Sequence, residues 1–412
     1  MPQKNKKTIV IGAGIIGVTT AYRLAAAGRT VTLIDRDAPG LGASFGNAGH
    51  LAIEQIYPLA SPSVLGNIPK MIFDRNGPLV LRPGYFLKFI PWSLRFLWAS
   101  RPGAFRRGIE ATKSLNRAAV PSWTALLDAM DLRPMIRQRG SVELFETEAA
   151  FAQAAGLVAD LERHGVTAHI WTVDQLRLRL PALTGPAAGA IYYPDTAHCI
   201  NPHRLVTEIL AKAEALGLRF VQDEITEINE DEAGMVTLRG KQTSHNCDTV
   251  VLSAGVFSRD LITARGKKPP LEAERGYHYM LPDPGITVDL PVTFHERKFI
   301  LTPMEHGIRL SGTVEFAGTD APPTRNRARM LFQFAQTVFP KLQDTQGEEW
   351  MGFRPTLPDY LPILDRRGNT ISAFGHNHLG LTQAAVTSQL VEDMVEGKAP
   401  RLDLTPFSLD RF

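Results

Sequence analysis

Cysteine is nearly absent from this chain: Cys199 and Cys247 are the only two in 412 residues. Without a CxxC pair or metal-ligand spacing they argue against a disulfide framework and against a zinc or iron–sulfur centre, and a reducing compartment is the simpler reading. No uninterrupted apolar run reaches the roughly 18 residues of a spanning helix. Charge of one sign is also lacking. The net charge is only +3, so no nucleic-acid footprint is implied. There is no internal repeat and no low-complexity linker. The basic stretch Met1 to Lys7 leads straight into a strand, so no secretory leader is expected. What remains is an ordinary globular composition on a chain long enough for two domains.

The most informative stretch runs from Thr8 to Asp35. Thr8 to Ile11 is a β-branched run with no polar face, as a strand buried on both sides of a parallel sheet requires. Gly12, Gly14 and Gly17 then give GxGxxG. The first glycine makes the tight turn, the second admits a pyrophosphate to the backbone, and the third lets the helix from Ile15 lie close on the sheet. Gly28 stops that helix, and Thr30 to Ile34 form a second buried strand ending at Asp35. A carboxylate there can accept both ribose hydroxyls of an adenosine and disfavours a 2′-phosphate. Strand, glycine turn, helix, strand and acid together make a dinucleotide-binding βαβ unit.

Further on, Arg36 to Gly49 is glycine-rich and aperiodic. Helical stretches are expected between Pro83 and Met130, over Ala149 to His164 and over Thr172 to Leu180. A helix from Pro202 to Leu216 has Asn201 as N-cap and Gly217 as stop. Strands at Leu218 to Val221, Ile225 to Asn229, Val236 to Arg239 and Thr249 to Leu252 rebuild a nucleotide-domain sheet far from the first unit. Alternating patterns around Tyr277 to Leu281, Phe299 to Thr302 and Ile308 to Ser311 predict a second, mainly antiparallel sheet. Arg327 to Phe339 reads as a helix, Ile371 to Phe374 as a strand and Leu381 to Val395 as a closing helix. The expected fold is therefore α/β. A discontinuous Rossmann-like domain takes 1–80, 190–271 and 346–412, and an α+β substrate domain takes 81–189 and 272–345.

The segments VIGAGIIGVTTAYRLAAAG with LIDRD, ASFGNAGH, the NPHRL helix, VVLSAG, GFRPTLPDYLPILD and GHNHLGLTQA occur in an order that resembles one known group. Over essentially the whole chain they are similar to the flavin-dependent amino-acid oxidoreductases of the D-amino-acid oxidase superfamily, and within it to bacterial D-amino-acid dehydrogenases. The resemblance implies non-covalent FAD. Gly12, Gly14, Ile15, Ile16, Gly17 and Asp35 would hold its adenosine end, with Arg36 over the adenine or a phosphate. Ser44, Gly46, Asn47, Ala48 and Gly49 would run beneath the flavin. Ile225 would read the adenine edge, and Ala254 and Gly255 would close on the pyrophosphate. Gly375, His376, Gly380, Leu381 and Thr382 would aim a second helix N-terminus at the ring. An NAD enzyme would not need the segments 44–49 and 375–382, because nicotinamide comes and goes while a resident flavin is gripped along its length.

An amino-acid substrate presents a carboxylate, which arginine forks with two parallel donors. Arg354 in GFRPTLPD is the first choice, with a structural pairing to Asp359 or Asp365 as the alternative; Arg275 is the second choice. His50, by resemblance, lies near the substrate, though a satisfied polar histidine fits equally well. His376 and His378 fall where flavin and substrate meet. Tyr277, Tyr279 and Tyr360 could offer hydroxyls or be core aromatics. No Asp, Glu or Lys stands inside these motifs as a general base, which suits hydride loss from Cα of a neutral amine. The resemblance thus implies oxidative deamination of an amino acid, of D configuration, with a quinone or dye rather than dioxygen as acceptor. Oxidation of a secondary or cyclic amino acid (sarcosine or glycine, hydroxyproline or proline) and a non-catalytic flavin-binding scaffold are the alternatives.

Leu79 to Arg107 interleaves tryptophans and phenylalanines with Arg82, Lys88, Arg95, Arg101, Arg106 and Arg107. Such a segment can lie at a membrane surface and bring the enzyme to membrane quinone. Pro83, Pro91 and Pro102 are expected to break its helix, and the same residues could instead cap the substrate pocket. The expected location is cytoplasmic, on the inner face of the cytoplasmic membrane if the segment touches lipid.

Overall fold

The structure, a computed structural model, describes residues 6–62, 79–263, 266, 268–324 and 326–412. Six strands form the first sheet, in the order Arg219–Gln222, Thr30–Asp35, Lys7–Ile11, Thr249–Leu252, Thr370–Phe374 and Ile363–Arg367. The first five run parallel and the last is antiparallel. Their side chains alternate between two buried faces. Val10, Val251, Ile371 and Ala373 pack into a core with the helices Ile15–Ala26, Pro202–Ala215, Pro102–Asp128 and Gly380–Glu396. Ile9, Ile11, Val250 and Leu252 face the other way, onto the antiparallel sheet Ile225–Glu230, Val236–Gly240 and Ser244–Cys247. Burial on both faces explains the absence of a polar side in these runs. Asn201 caps its helix through the Arg204 amide at 3.0 Å, with Pro202 in the first turn.

A nine-stranded sheet forms the second body of structure. Its order is Glu348–Thr356, Glu272–Leu281, Gly307–Phe316, Phe299–Met304, Val292–Phe294, Ser141–Phe145, Gly189–Tyr193 and His169–Thr172, with Leu79–Leu81 added parallel to Gly307–Phe316. The helix Arg327–Val338 covers one face through Leu331, Ala335 and Val338.

Four sequence-based expectations change. Residues 190–193 of the strand Gly189–Tyr193, and all of Glu348–Thr356, fall in the nucleotide-type region by the boundaries above but hydrogen-bond into the nine-stranded sheet. Glu348–Thr356 was hidden by Pro355, which is tolerated because this strand lies at the sheet's edge. The run Ala149 to His164 divides into Glu148–Phe151 and Ala154–Arg163, and Phe151 then packs where Gly189 has no side chain. Pro91 does not break its helix, which runs unbroken over Phe86–Ala99. The backbone bond lost there is offset by burial of Trp92 and Phe96 against Phe316 and Tyr360.

Candidate active site

Four parallel strands end at one cavity. Gly12 follows Lys7–Ile11, Arg36 follows Thr30–Asp35, Ser253 follows Thr249–Leu252, Gly375 follows Thr370–Phe374, and all four border a space of about 1410 Å³. Open parallel sheets bind ligands outside their carboxyl ends. The volume exceeds the ~300–1,000 Å³ of an ordinary small-ligand site, leaving room for a dinucleotide and a small substrate together. The nine-stranded sheet closes the opposite side with Gly276, Ser311, Thr313, Trp350, Gly352 and Arg354.

The three motif glycines separate by role. A Cβ on Gly12 would lie 2.4 Å from the Ser253 carbonyl oxygen, and one on Gly17 would lie 1.7 Å from that of Gly12. At Gly14 the same atom would meet only Ser44 Oγ, at 3.3 Å. Packing demands the first and third glycines, while the second keeps clear the approach of a pyrophosphate to the helix N-terminus. Asp35 accepts from the amides of Ala13 at 2.6 Å and Asp37 at 3.0 Å. Burial raises its carboxyl above the usual range against the pull of those two bonds. Arg36 stacks on the Phe257 ring, 3.7 Å from its centroid, at the cavity's edge. Ile15, Ile16, Ile225, Ala254 and Gly255 border the same end.

Ser44 lies between the two ends, and Gly46, Asn47, Ala48, His376, Gly380 and Leu381 border the cavity beyond the glycine cradle. Ser44 Oγ accepts the Ile15 amide at 2.9 Å. The Trp350 indole supports Gly46 so closely that a Cβ there would sit 2.0 Å from the ring. Within the described residues the amides of Gly46 and Ala48 have no acceptor. A polarised ring with carbonyl and nitrogen acceptors fits this wall, and an adenosine diphosphate fits the glycine cradle. The residues present therefore suit FAD. His376 Nε2 lies 2.9 Å from Thr387 Oγ1, and His378 Nε2 lies 2.8 Å from Gln55 Oε1. Burial pushes these imidazoles down to about 3 and about 4, so both are neutral at physiological pH.

Arg354 faces the ring end from the edge strand. Its Nη1 donates to Glu274 Oε1 at 2.8 Å and to the Thr313 carbonyl at 3.3 Å. No protein bond uses its Nε or Nη2 within the described residues, and the guanidinium lies flat over Gly276, which has no side chain to lift it. Glu274 is buried and also accepts from Thr356 Oγ1 at 3.1 Å and Tyr360 Oη at 3.4 Å. Burial, and then Glu274, hold the Tyr360 phenol well above its ordinary range, so it stays protonated. Ser311 Oγ and Thr313 Oγ1, on the same wall, have no partner among the described residues. His50 also borders the cavity; its Nε2 is 2.9 Å from Glu54 Oε1, and its Nδ1 has no partner among the described residues.

Several expected site residues are placed elsewhere. Arg275 is fully buried, does not border the cavity, and turns Nε, Nη1 and Nη2 to the carbonyls of Gly318, Pro322 and Ala321, away from any substrate. Tyr277 reaches the wall, but its hydroxyl donates to Glu315 and accepts the Thr324 amide. Tyr279 bonds Asp344 away from the cavity. Gly49 backs onto the Cys199 carbonyl, and Thr382 accepts the Ala52 amide; neither borders the space. Gly17 is also off the wall, packed beneath Gly12. Arg354 does not pair with Asp359 or Asp365, which are held by Arg411 and Arg367. Glu274, Lys298 and Trp350 were missed. Alternation from Gly276 puts Glu274 on the cavity face and was the available signal; Lys298 and Trp350 had none.

Known proteins resemble this chain over nearly its whole length. The family model described as FAD dependent oxidoreductase (DAO) matches residues 7–394. The chain is 30% identical to a D-amino-acid oxidase of Bradyrhizobium diazoefficiens over 100% of both proteins. It is 27% identical to a D-amino acid dehydrogenase of Vibrio atlanticus, over 98% of this chain and 100% of that protein. Among solved structures, glycine oxidase from Geobacillus kaustophilus superposes with a TM-score of 0.75 at 21% identity, covering 100% of both chains. L-proline dehydrogenase from P. horikoshii gives 0.73 at 18%, covering 100% of this chain and 98% of that one. These two likenesses concern the fold.

Proposed function

The chain belongs to the FAD dependent oxidoreductase family, and from that premise we propose that it oxidises the Cα–N bond of a D-amino acid to an imino acid, which water then splits into a 2-oxo acid and ammonia. The observation that carries this reading is Arg354, whose guanidinium keeps Nε and Nη2 unbonded on the wall facing the 44–48 loop. FAD, when bound, supplies the two-electron acceptor for the Cα hydride. Arg354 forks the substrate carboxylate, and its bond to Glu274 fixes the fork's plane. The protonated Tyr360 hydroxyl and the Ser311 and Thr313 hydroxyls, which have no partner among the described residues, border the same cavity. Phe89 and Trp92 supply an apolar wall that excludes water from it. His376 and His378 stay neutral and orient by hydrogen bonds rather than charge. The amine therefore must arrive neutral, or lose a proton on binding. The relatives named D-amino-acid oxidase and D-amino acid dehydrogenase support the D configuration.

The acceptor we favour is a membrane quinone. No helix among the described residues is long and apolar enough to cross a membrane. The helix Phe86–Ala99, however, exposes Leu87 at 77%, Leu94 at 61% and Trp98 at 66%. Phe86, Ile90, Leu94 and Leu97 of the same helix border the cavity. An apolar stripe with Lys88, Arg95 and Arg101 beside it suits peripheral contact with an anionic leaflet, on the cytoplasmic side, next to the cavity mouth.

An anaerobic panel of amino acids in both enantiomers tests the reaction. Bleaching of bound flavin by D-amino acids, faster as pH rises and the amine loses its proton, is expected. Bleaching by sarcosine or proline alone would replace the substrate class, and no bleaching by any amine would favour the scaffold. Rapid reoxidation in air would replace the acceptor. Sedimentation with anionic vesicles at low and high salt tests the membrane contact, which absence from the low-salt pellet would remove.

A further inference from the structure

Arg309 is a buried cation with no acid paired to it among the described residues. It lies on the strand Gly307–Phe316, two residues before Ser311 and on the same face, which carries Ser311 to the cavity. The residue is only 9% exposed. Its Nη1 donates to the carbonyls of Phe45 at 3.1 Å and Asn47 at 2.7 Å. Between those two, the Gly46 carbonyl lies 3.2 Å from His278 Nδ1. Three successive carbonyls of the ring-end loop are thus drawn toward the nine-stranded sheet.

Each peptide unit is planar and trans, so an N–H points opposite to the carbonyl of the same unit. The amides sharing units with the Phe45 and Asn47 carbonyls are those of Gly46 and Ala48. Both residues border the cavity, and neither amide has an acceptor within the described residues. The guanidinium and the two peptide dipoles are therefore aligned with their positive ends toward the ring end. Arg275 is also buried, but Glu315 stands 3.7 Å from it. No carboxylate pairs with Arg309 within the described residues, and its Nε has no partner. Burial lowers the guanidinium to about 10, which leaves it charged at neutral pH. A protein retains an uncompensated buried charge at considerable cost.

We propose that Arg309 is a positioning residue whose fixed positive charge, relayed through the Gly46 and Ala48 amides, favours the two-electron-reduced, negatively charged state of the bound cofactor and so raises its reduction potential. The proposal rests on the flavin reading above. It concerns a different group from the closing helix Gly380–Glu396, and it ascribes to Arg309 no contact with substrate.

The test uses FAD-loaded protein. Arg309→Met should weaken sulfite binding, which places negative charge on the ring, by tenfold or more. The reduction potential, measured against equilibrating dyes, should fall by about 30 mV for each tenfold loss of preference in a two-electron couple. Arg309→Lys keeps the charge and should stay within about threefold of the parent. Should Arg309→Met fail to hold cofactor, Arg309→Gln, which retains an N–H donor for the loop carbonyls but no charge, must show the same fall. A merely structural clamp would weaken oxidised and reduced cofactor equally, leaving potential and sulfite affinity where they were; that result in either neutral variant overturns the proposal. A parent chain that takes up no FAD would instead overturn the reading on which the proposal rests.

Discussion

The two ends of the cavity are built from different materials. The adenosine end is backbone: a glycine turn, a helix N-terminus and one carboxylate, all supplied between Gly12 and Asp35. The substrate end is side chain, assembled across sheet register, and its central pair Arg354 and Glu274 is 80 residues apart in sequence. Backbone recognition needs room and therefore glycine, so a substitution there acts by volume. Side-chain recognition needs charge and orientation, and a substitution there acts by leaving a partner unpaired. The same cavity should therefore fail in two distinguishable ways.

The largest effect is expected at Arg354. Arg354→Met removes the carboxylate fork and strands Glu274, which is buried. Truncating one partner of a buried charge pair costs about 2–5 kcal/mol, so kcat/KM should fall roughly 30- to 5,000-fold. Arg354→Lys keeps charge but not the fork and should recover only part of the loss. Adding Glu274→Gln to Arg354→Met should restore thermal stability without restoring turnover. Recovery of turnover in that double variant would place the carboxylate site elsewhere.

At the adenosine end the contrast lies between two glycines. A methyl at Gly17 would meet the Gly12 carbonyl oxygen at 1.7 Å, whereas one at Gly14 would meet Ser44 Oγ at 3.3 Å. Gly17→Ala should destabilise even the apoprotein, by about 3 kcal/mol or more. Gly14→Ala should leave apoprotein melting within about 1 kcal/mol and weaken FAD binding roughly tenfold, since its methyl occupies only the pyrophosphate approach. Equal melting temperatures for the two apoproteins would contradict this division.

That division also explains what could be read from sequence. The βαβ unit is local, and its strand, glycines, helix and acid each carry a distinct residue signature, so the layered six-stranded sheet was legible. Arg354 was legible as a chemical type, but its partner was not. Asp359 and Asp365 are nearer in sequence, yet strand pairing sets Glu274 opposite it. Arg275 was misread because nothing local shows that its side chain turns toward Gly318, Ala321 and Pro322. Glu348–Thr356 was masked by its proline, and the buried cation at Arg309 lies in a strand that reads only as alternating.

A smaller effect follows from the neutral buried histidines, of which only His376 and His378 border the cavity. Burial lowers His198 and His378 from 6.5 to about 4 and His278 and His376 to about 3. Each therefore takes up its proton in the unfolded chain first as pH falls through about 6.5. Stability is full above that value, declines through the window down to about 4, and loses no more from these groups below their folded values. His198 makes no hydrogen bond at either ring nitrogen within the described residues. His198→Leu should therefore flatten the decline in melting temperature between pH 6.5 and 4.5, adding on the order of 1 kcal/mol at pH 5. A parallel shift at all pH values would mean that packing, not protonation, was changed.

The smallest effect is expected where neither kind of recognition operates. Leu87 and Trp98 lie on the solvent side of Phe86–Ala99, away from the cavity lining, whereas Trp92 and Phe96 of the same helix are buried. Substitutions of exposed residues usually move stability by less than about 0.5 kcal/mol. Leu87→Ser with Trp98→Ser should thus leave melting and flavin reduction by a soluble substrate unchanged, while Trp92→Ala should lower melting by about 3 kcal/mol. The paired serine variant should nevertheless lose vesicle binding and, with it, reduction of a lipid-dissolved quinone relative to a soluble dye. Were the double serine variant to melt as low as the Trp92 variant, the stripe would be packing surface and the helix would belong to the fold alone. Unchanged melting with a lowered quinone-to-dye ratio would instead mark this helix as a third kind of wall, held in place by one face and used through the other.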